Sequence, residues 1–169
     1  GAAGTIAAAS VAKATPDGYT VLLGTSAPQG IVKYMYKALP YDPIEDFAPV
    51  GILGNVTVGV FASEKSGLKT LPEMVAAVRA NPGQVSYGSP GVGSVSHLAA
   101  EAMRARANLR LLHVPYAGNT PQMTDLVGGQ IQVAFTGLGS GITYAKDGRV
   151  RLLAVAAKSR SRNHPHVPA

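Results

Sequence analysis

The sequence contains no cysteine and no tryptophan among its 169 residues. Without cysteine the chain can form neither a disulfide framework nor a thiolate metal site, so cysteine usage does not indicate a redox compartment. No apolar run reaches the roughly 18 residues that a membrane span needs. Charged residues are sparse at 14%, whereas 46% of the residues are hydrophobic. This balance is typical of a globular chain rather than a disordered one.

Acidic residues are fewer than basic ones: the chain has 9 Asp and Glu but 15 Lys and Arg. Its net charge is therefore +6. The excess has three interpretations: solubility, an anionic ligand, or nucleic acid. The basic residues are scattered apart from "KSRSR" at 158–162. No aromatic residue interleaves with that run, as a base-stacking surface would require. We therefore expect no nucleic-acid partner.

Strand-like segments alternate with helix-like segments along the chain, and this pattern predicts an α/β fold with a mostly parallel sheet. The long β-prone run near the end of the first third of the chain indicates a boundary between two lobes. We expect a partial first lobe over 1–61 with a crossover strand at 50–61, a second lobe over 62–157, and a return segment at 158–169. The predicted strands cover residues 19–24, 50–63, 84–88, 110–116, 130–136 and 149–157.

Helix ends can be predicted from capping residues. Thr70 and Glu73 have capping-box spacing, and "NPG" at 81–83 would end that helix. Asn119 or Thr120 is the expected N-cap of a later helix, which a glycine pair would end. Another predicted helix presents one apolar face formed by Val95, Leu98, Ala99, Ala102 and Met103.

The stretch "YGSPGVGSVSHLAAEAM" at 87–103 begins like a phosphate loop. Gly88 and Gly93 have the spacing of a P-loop, but Ser94 stands where its lysine should be. Three further predicted strands also end in small residues that begin helices, at 24–26, 117–120 and 136–141. Because such strand ends face the ligand crevice of open α/β sheets, the pattern predicts an anion cradle built from neutral donors. The alternative is that these loops only cap helices.

Signs of catalysis are weak. The sequence has no G-x-S-x-G nucleophile elbow and no evident acid–base pair of carboxylates. His113 lies within a predicted strand as a core or interface residue, while His97 is either a ligand donor or a plain surface residue. His164 and His166 have no acidic neighbour that would complete a metal site. We predict no catalytic residue, no metal and no cofactor; an enzyme that uses the cradle for a phosphorylated or acyl substrate stays the alternative.

Several longer motifs together resemble one family. They are "GTIAAASVAKATPDGYTVLLGT", "LPYDPIEDFAPVG", "YGSPGVGSVSHLAAE", "HVPYAGNTPQMTDLVGGQIQVAF" and "DGRVRLLAVAAKSRSRNHPHVPA". In this order they resemble the successive motifs of the substrate-binding proteins of tripartite tricarboxylate transporters, the Bug or TctC family. The resemblance extends over essentially the whole chain.

The resemblance implies a periplasmic binding protein of the type II fold, in which two lobes enclose a central cleft. A small organic anion, a mono-, di- or tricarboxylate, would bind between the lobes and be delivered to the membrane permease of the transporter. Members of the family are about twice as long as this chain. The first strand and the end of the first lobe are therefore expected to lie outside it.

The resemblance also assigns candidate ligand contacts by position. Many relatives have an acidic residue at this position, and it could bind an amino or hydroxyl group of the ligand. This chain has Thr136 instead, and the threonine favours a ligand that lacks such a group. In the first lobe the contacts would come from the helix start at 1–5 and from a strand end. The candidate ligand-binding residues are Gly4, Thr5, Thr25, Ser26, Ser89, Gly91, Gly93, Ser94, His97, Tyr116 and Thr136.

Overall fold

The computed structural model describes residues 4–169. Short helical turns occupy Ala27–Ile31, Val32–Tyr34 and Glu64–Ser66. The helices and strands of the described chain are, in order, α1 (Thr5–Ala12), β1 (Val58–Ser63), α2 (Leu71–Ala80), β2 (Ser86–Ser89), α3 (Val95–Arg106), β3 (Leu112–Pro115), α4 (Asn119–Gly128), β4 (Val133–Gly137), α5 (Leu138–Lys146) and β5 (Val150–Ala156).

The strands form one five-stranded sheet in the order β3-β2-β4-β1-β5. Strand β2 is parallel to β3 and β4, whereas β1 is antiparallel to β4 and β5. The expectation of a mostly parallel sheet is therefore wrong, because half of the pairings are antiparallel. The reason is that β1 begins at the end of the sheet where its neighbours β4 and β5 finish. Val58, the first residue of β1, pairs with Gly137 and Ala156 at the carboxyl ends of β4 and β5.

Two predicted strand segments are not strands. Residues 19–24 and 50–57 have no strand structure, and Tyr19 and Val50 are 93% and 92% exposed. An apolar, β-branched segment becomes a strand only where it packs on a partner. None of the described strands pairs with either segment. The predicted strand at 50–63 is thus correct only from Val58 onward.

The helices carry the predicted capping signals in part. At the start of α2, the Glu73 amide donates to Thr70 Oγ1 over 3.3 Å, as the capping box requires. The face predicted for the later helix, α3, is correct in part: Ala99 and Met103 pack against the core, whereas Val95 and Ala102 are exposed. The buried residues of α3 are the small side chains Ser96 and Ala100.

The core divides into two clusters within the sheet region and a separate small one. The first includes Met74, Tyr87 and Phe135 among its buried residues, with α2 and α3 contributing. The second includes Phe61 and Leu126, with α4 and α5 contributing. A third cluster, formed by Ala8, Val32 and Tyr41, involves only the described residues before β1, which we call the first part of the chain. The first part therefore has a hydrophobic contact network of its own, while the lobe boundaries given above stay a prediction.

Gly141 in α5 provides a test of this packing. A Cβ atom there would overlap the ring of Phe61, which is fully buried. We expect Gly141→Ala to lower the free energy of unfolding by about 1–3 kcal/mol, the usual cost of overpacking a core. Chemical denaturation of the full-length protein measures this.

Gly139→Ala is the matched control in the same helix, because a Cβ at that position meets nothing within 4 Å. Alanine favours the helix over glycine by up to about 1 kcal/mol, so this variant should be as stable as the wild type or more so. Equal stability of the two variants would contradict the packing of α5 on Phe61.

Candidate functional site

The predicted site residues of the sheet region gather at one edge of the sheet. Gly88 of β2 pairs with Val114 of β3 and with Ala134 of β4, so these parallel strands end close together. Helices α3, α4 and α5 each begin just after one of these strands. Helix N-termini offer unpaired N–H groups and a partial positive charge. This edge therefore has the general form of an anion site.

The loop at 89–94, which we call the glycine loop, leads from β2 into α3. Gly91 and Gly93 adopt φ values of 131° and 80°, a region that favours glycine. Ser94 Oγ accepts the His97 amide over 3.2 Å and so caps α3. In place of the P-loop lysine, Ser94 thus supplies a helix cap.

Two N–H groups of the glycine loop already have acceptors within the chain. The Ser94 amide donates to Gly91 O over 3.2 Å, and the Gly93 amide donates to His97 Nδ1 over 3.3 Å. In this structure these two N–H groups are therefore not free donors for the predicted anion cradle. The loop curls back on itself and on the first turn of α3.

Three rings stack behind the glycine loop, and we call Tyr87, His113 and His97 the ring column. The His113 ring lies 4.8 Å from Tyr87 and 4.3 Å from His97, at interplanar angles of 22° and 27°. Tyr87 and His113 are direct partners in the β2–β3 register. Burial, helped by the nearby His97, lowers the pKa of His113, and Glu101 partly opposes this. His113 is thus half-buried in the packing between β2, β3 and α3, as expected for a core histidine.

Ser89 and His113 form a pair that superficially resembles a nucleophile and its base. Ser89 Oγ lies 2.8 Å from His113 Nε2, but Ser89 is fully buried and its hydroxyl also lies 3.3 Å from Gly91 O. The flat faces of His113 are covered by the other two rings of the column. Among the described residues no carboxylate hydrogen-bonds to His113 to orient it, as a catalytic triad requires. The pair fixes the start of the glycine loop.

A second polar cluster, which we call the threonine cluster, lies where β4 ends and comprises Thr136, Asn119 and Ser140. Thr136 is fully buried and its hydroxyl donates to Asn119 Oδ1 over 3.1 Å. The Asn119 amide group then donates to Ser140 Oγ over 3.0 Å. The buried Thr136 side chain therefore positions Asn119, which the sequence predicts only as a possible N-cap.

Helices α4 and α5 begin without a side-chain cap. Their N-cap residues are Gly118 and Gly137, which have no side chain that could accept a hydrogen bond from the first N–H groups of the helix. The prediction of Asn119 or Thr120 as the N-cap of α4 is wrong, since the Asn119 side chain is held by Thr136 and Ser140 instead. The helix ends beside the threonine cluster thus differ from the capped start of α3.

Tyr116 joins the end of β3 to its surroundings. Its amide donates to Ser89 O over 2.9 Å, and its hydroxyl donates to Asp125 Oδ2 over 2.8 Å. Burial, together with the hydrogen bond to Asp125, raises the pKa of Tyr116 to about 12. The phenol is therefore neutral at physiological pH, and its hydroxyl is directed at α4.

The candidate residues of the first part of the chain form a separate group. Gly4, with φ of 90°, precedes Thr5 at the start of α1 and lies near the ring of Pro28. Thr25 and Ser26 are exposed just before that proline. Residues 1–3 of the predicted helix start lie outside the described residues.

Met35 connects this part of the chain to the glycine loop. A Cβ on Gly93 would come within 2.9 Å of Met35 Sδ. The first part of the chain therefore packs directly on the loop that begins α3.

A cavity elsewhere on the described chain is separate from the predicted site residues. A cavity of about 700 Å3 lies at the opposite edge of the sheet, between β5, the start of α2 and the C-terminal segment. No predicted site residue lines it. Residues 4–169 contain no cluster of three or more histidine or acidic side chains placed to bind a metal. In the same range no helix combines the length and apolarity that a membrane crossing demands.

The role of Ser94 can be tested by stability. We expect Ser94→Ala to lower the free energy of unfolding of the full-length protein by about 1 kcal/mol, because the cap of α3 is lost. Ser94→Asp should retain wild-type stability, since aspartate caps as well as serine and its charge suits a helix N-terminus. Urea denaturation measures both; an aspartate variant as unstable as the alanine variant would contradict the capping role.

Comparison with known proteins identifies relatives over the full length of the chain. The profile of the TctC family, described as the tripartite tricarboxylate transporter family receptor, matches residues 1–169. A UPF0065 protein of Bordetella bronchiseptica is 38% identical over 169 residues, which are 100% of this chain and 50% of that protein. The chain thus spans about half the length of this curated relative.

Solved structures give the same result for the fold. The periplasmic binding protein BugD superposes with a TM-score of 0.93 at 30% identity, over 100% of this chain and 56% of that one. A protein of R. palustris solved with adipate gives a TM-score of 0.96 at 29% identity, with 100% and 56% covered. MatC of Rhodopseudomonas palustris, with bound malate, gives 0.89 at 30% identity, with 100% and 57% covered.

These matches confirm two predictions made from the sequence, the periplasmic binding-protein fold and the family resemblance. The α/β architecture is that of periplasmic binding proteins, and the chain covers only part of each such structure. The chain belongs to the TctC family of tripartite tricarboxylate transporter receptors.

Proposed function

We propose that the protein containing this chain is a periplasmic solute-binding protein that holds a small organic carboxylate between two lobes. It then presents the ligand to the membrane permease of a tripartite tricarboxylate-type transporter. The observation that carries the proposal is the meeting of the uncapped starts of α4 and α5 beside the threonine cluster. Family membership supports the transport role.

The chemistry of this edge suits a carboxylate that must be released again. Main-chain N–H groups at helix starts, with the neighbouring Asn119 and Ser140, donate hydrogen bonds that an ionised carboxylate accepts strongly. None of these groups carries a full positive charge, so the ligand is held without a fixed ion pair. We assign Asn119 and Ser140 to the site in addition to the residues named from the sequence.

The opposite wall of the cleft would come from the first part of the chain. Thr25 and Ser26 are exposed, and Gly4 and Thr5 begin α1 near them. Met35 keeps this part of the chain against the glycine loop. A second carboxylate group, or the far end of the ligand, would bind here.

The proposed ligand class follows from the relatives and from Thr136. Two structural relatives were solved with adipate and with malate, both dicarboxylates. Thr136 has a neutral hydroxyl, which is bound to Asn119. An acidic side chain at this position would repel the second carboxylate group of a dicarboxylate ligand. A plain dicarboxylate is therefore the first ligand to test. An enzymatic role is not proposed, because Ser89 is buried and no carboxylate of residues 4–169 orients His113.

A thermal-shift screen of the full-length protein tests the proposal. Acetate, succinate, adipate, malate and citrate are added at increasing concentration. A ligand that binds only the folded protein should raise the Tm by an amount that grows with its concentration. If none of them raises the Tm, while a phosphorylated or acyl compound does and is turned over, the enzyme alternative replaces the proposal.

Gly93→Ala tests whether the glycine loop forms part of the site. The substitution strains a residue at φ of 80° and pushes on Met35 Sδ, so we expect weaker carboxylate binding by about tenfold or more. Isothermal titration of the carboxylate that raises the Tm most provides the measurement.

Gly67→Ala is the matched control for backbone strain. Gly67 has a similar φ of 71°, lies in the turn after β1, and has open space around its Cβ position. It should lose stability without losing affinity. Equal affinity of the two variants would remove the glycine loop from the site.

A further inference from the structure

We propose that His97 is a positioning residue that couples the binding of an anion to the uptake of a proton. In its neutral form it holds the Gly93 amide; in its protonated form it releases that amide towards the ligand. The inference rests on the proposed function for its ligand and deepens it, because it predicts how affinity changes with pH.

The hydrogen bond from Gly93 to His97 fixes the chemical form of the ring. The Gly93 amide donates to Nδ1 over 3.3 Å, so Nδ1 carries a lone pair and the ring proton sits on Nε2. A protonated imidazole is a donor at both nitrogens and can no longer accept this bond. The Gly93 N–H would then need another acceptor, and a carboxylate at the glycine loop supplies one.

The ring column limits the pair of histidines to one positive charge. His113 stacks on His97 at 4.3 Å, a separation at which two charged rings would repel strongly. Burial and the proximity of His97 lower the pKa of His113, so His113 stays neutral. The proton that accompanies an anion therefore goes to His97.

The charged group of α3 that interacts with His97 is Glu101, and Glu101 is in turn bound by Tyr87 from β2 and by Arg104. Tyr87 donates to Glu101 Oε1 over 2.7 Å, and Arg104 donates to Glu101 Oε2 over 2.6 Å. The Glu101 charge is shared between these two donors, and its charge interaction with His97 favours a positive ring. The N-terminus of α3 opposes a positive charge on His97, and an anion at the glycine loop removes that penalty. Proton and anion therefore favour each other's binding, as linkage requires.

The first test needs no ligand. Proton NMR follows the ring of His97 while 15N NMR follows the Gly93 amide of the full-length protein between pH 5 and 8.5. We expect the Gly93 resonance to shift with the same midpoint as the His97 ring. A Gly93 resonance that does not follow His97 overturns the inference.

The second test measures affinity. Above about pH 6.5 both carboxyl groups of adipate are ionised. The Kd of adipate should then fall by about 3- to 10-fold from pH 8.5 to pH 6.5, within the limit of tenfold per pH unit for one linked proton. Titration in two buffers of different ionisation enthalpy should detect proton uptake on binding. If adipate does not bind, succinate and malate take its place.

His97→Asn is the informative variant, because its amide oxygen can accept the Gly93 N–H at the position of Nδ1 but cannot be protonated. It should bind adipate with an affinity independent of pH over this range. His166→Gln is the control, since His166 is exposed in the C-terminal segment, and it should keep the wild-type pH dependence.

The outcomes separate the two proposals. If the Gly93 amide resonance shifts together with the His97 ring but no carboxylate binds, the proposed function fails while the coupling between the ring and the glycine loop stands. If carboxylates bind with the same pH dependence in wild type and His97→Asn, the proposed function stands and the inference fails.

Discussion

The insertion of β1 between β4 and β5 is the constraint on which the rest of the structure depends. All six residues of β1 are buried, and successive side chains enter different clusters, with Val60 in the first and Phe61 in the second. Gly59 and Gly141 leave room for the Phe61 ring. Since both core clusters require β1, the helices on the two faces of the sheet cannot pack fully without it.

The direction of β1 also determines what surrounds the site. Because β1 runs against its neighbours, the chain preceding it passes the edge where β4 ends and α5 begins. There the Leu138 amide, at the start of α5, donates to Thr57 O over 2.7 Å. Val56 lies next to Gly137 in the same region. One N–H at the start of α5 is thus used to hold the connecting segment, so it is not a donor for the proposed ligand.

The sequence predicted the elements of the second part of the chain well, because their signals are local. Thr70 with Glu73, and Gly129 after α4, mark helix ends through contacts within a few residues. The direction of β1 and the alignment of Tyr87 with His113 depend on strand register, which no local pattern encodes. Asn119 was missed as a partner of Thr136 for the same reason, since 17 residues separate them.

The absence of a lysine from the glycine loop has a physical consequence for binding. A lysine at position 94 would add a fixed charge and remove the cap of α3, because its side chain has no acceptor for the His97 amide. With serine there, the helix start is stable without a ligand, and the nearest group able to gain a positive charge is His97 in the same turn. Under the proposed coupling, a positive charge at the loop is present only when His97 has bound a proton. Under that coupling the affinity for an anion would vary with pH, which a permanent ion pair would not allow.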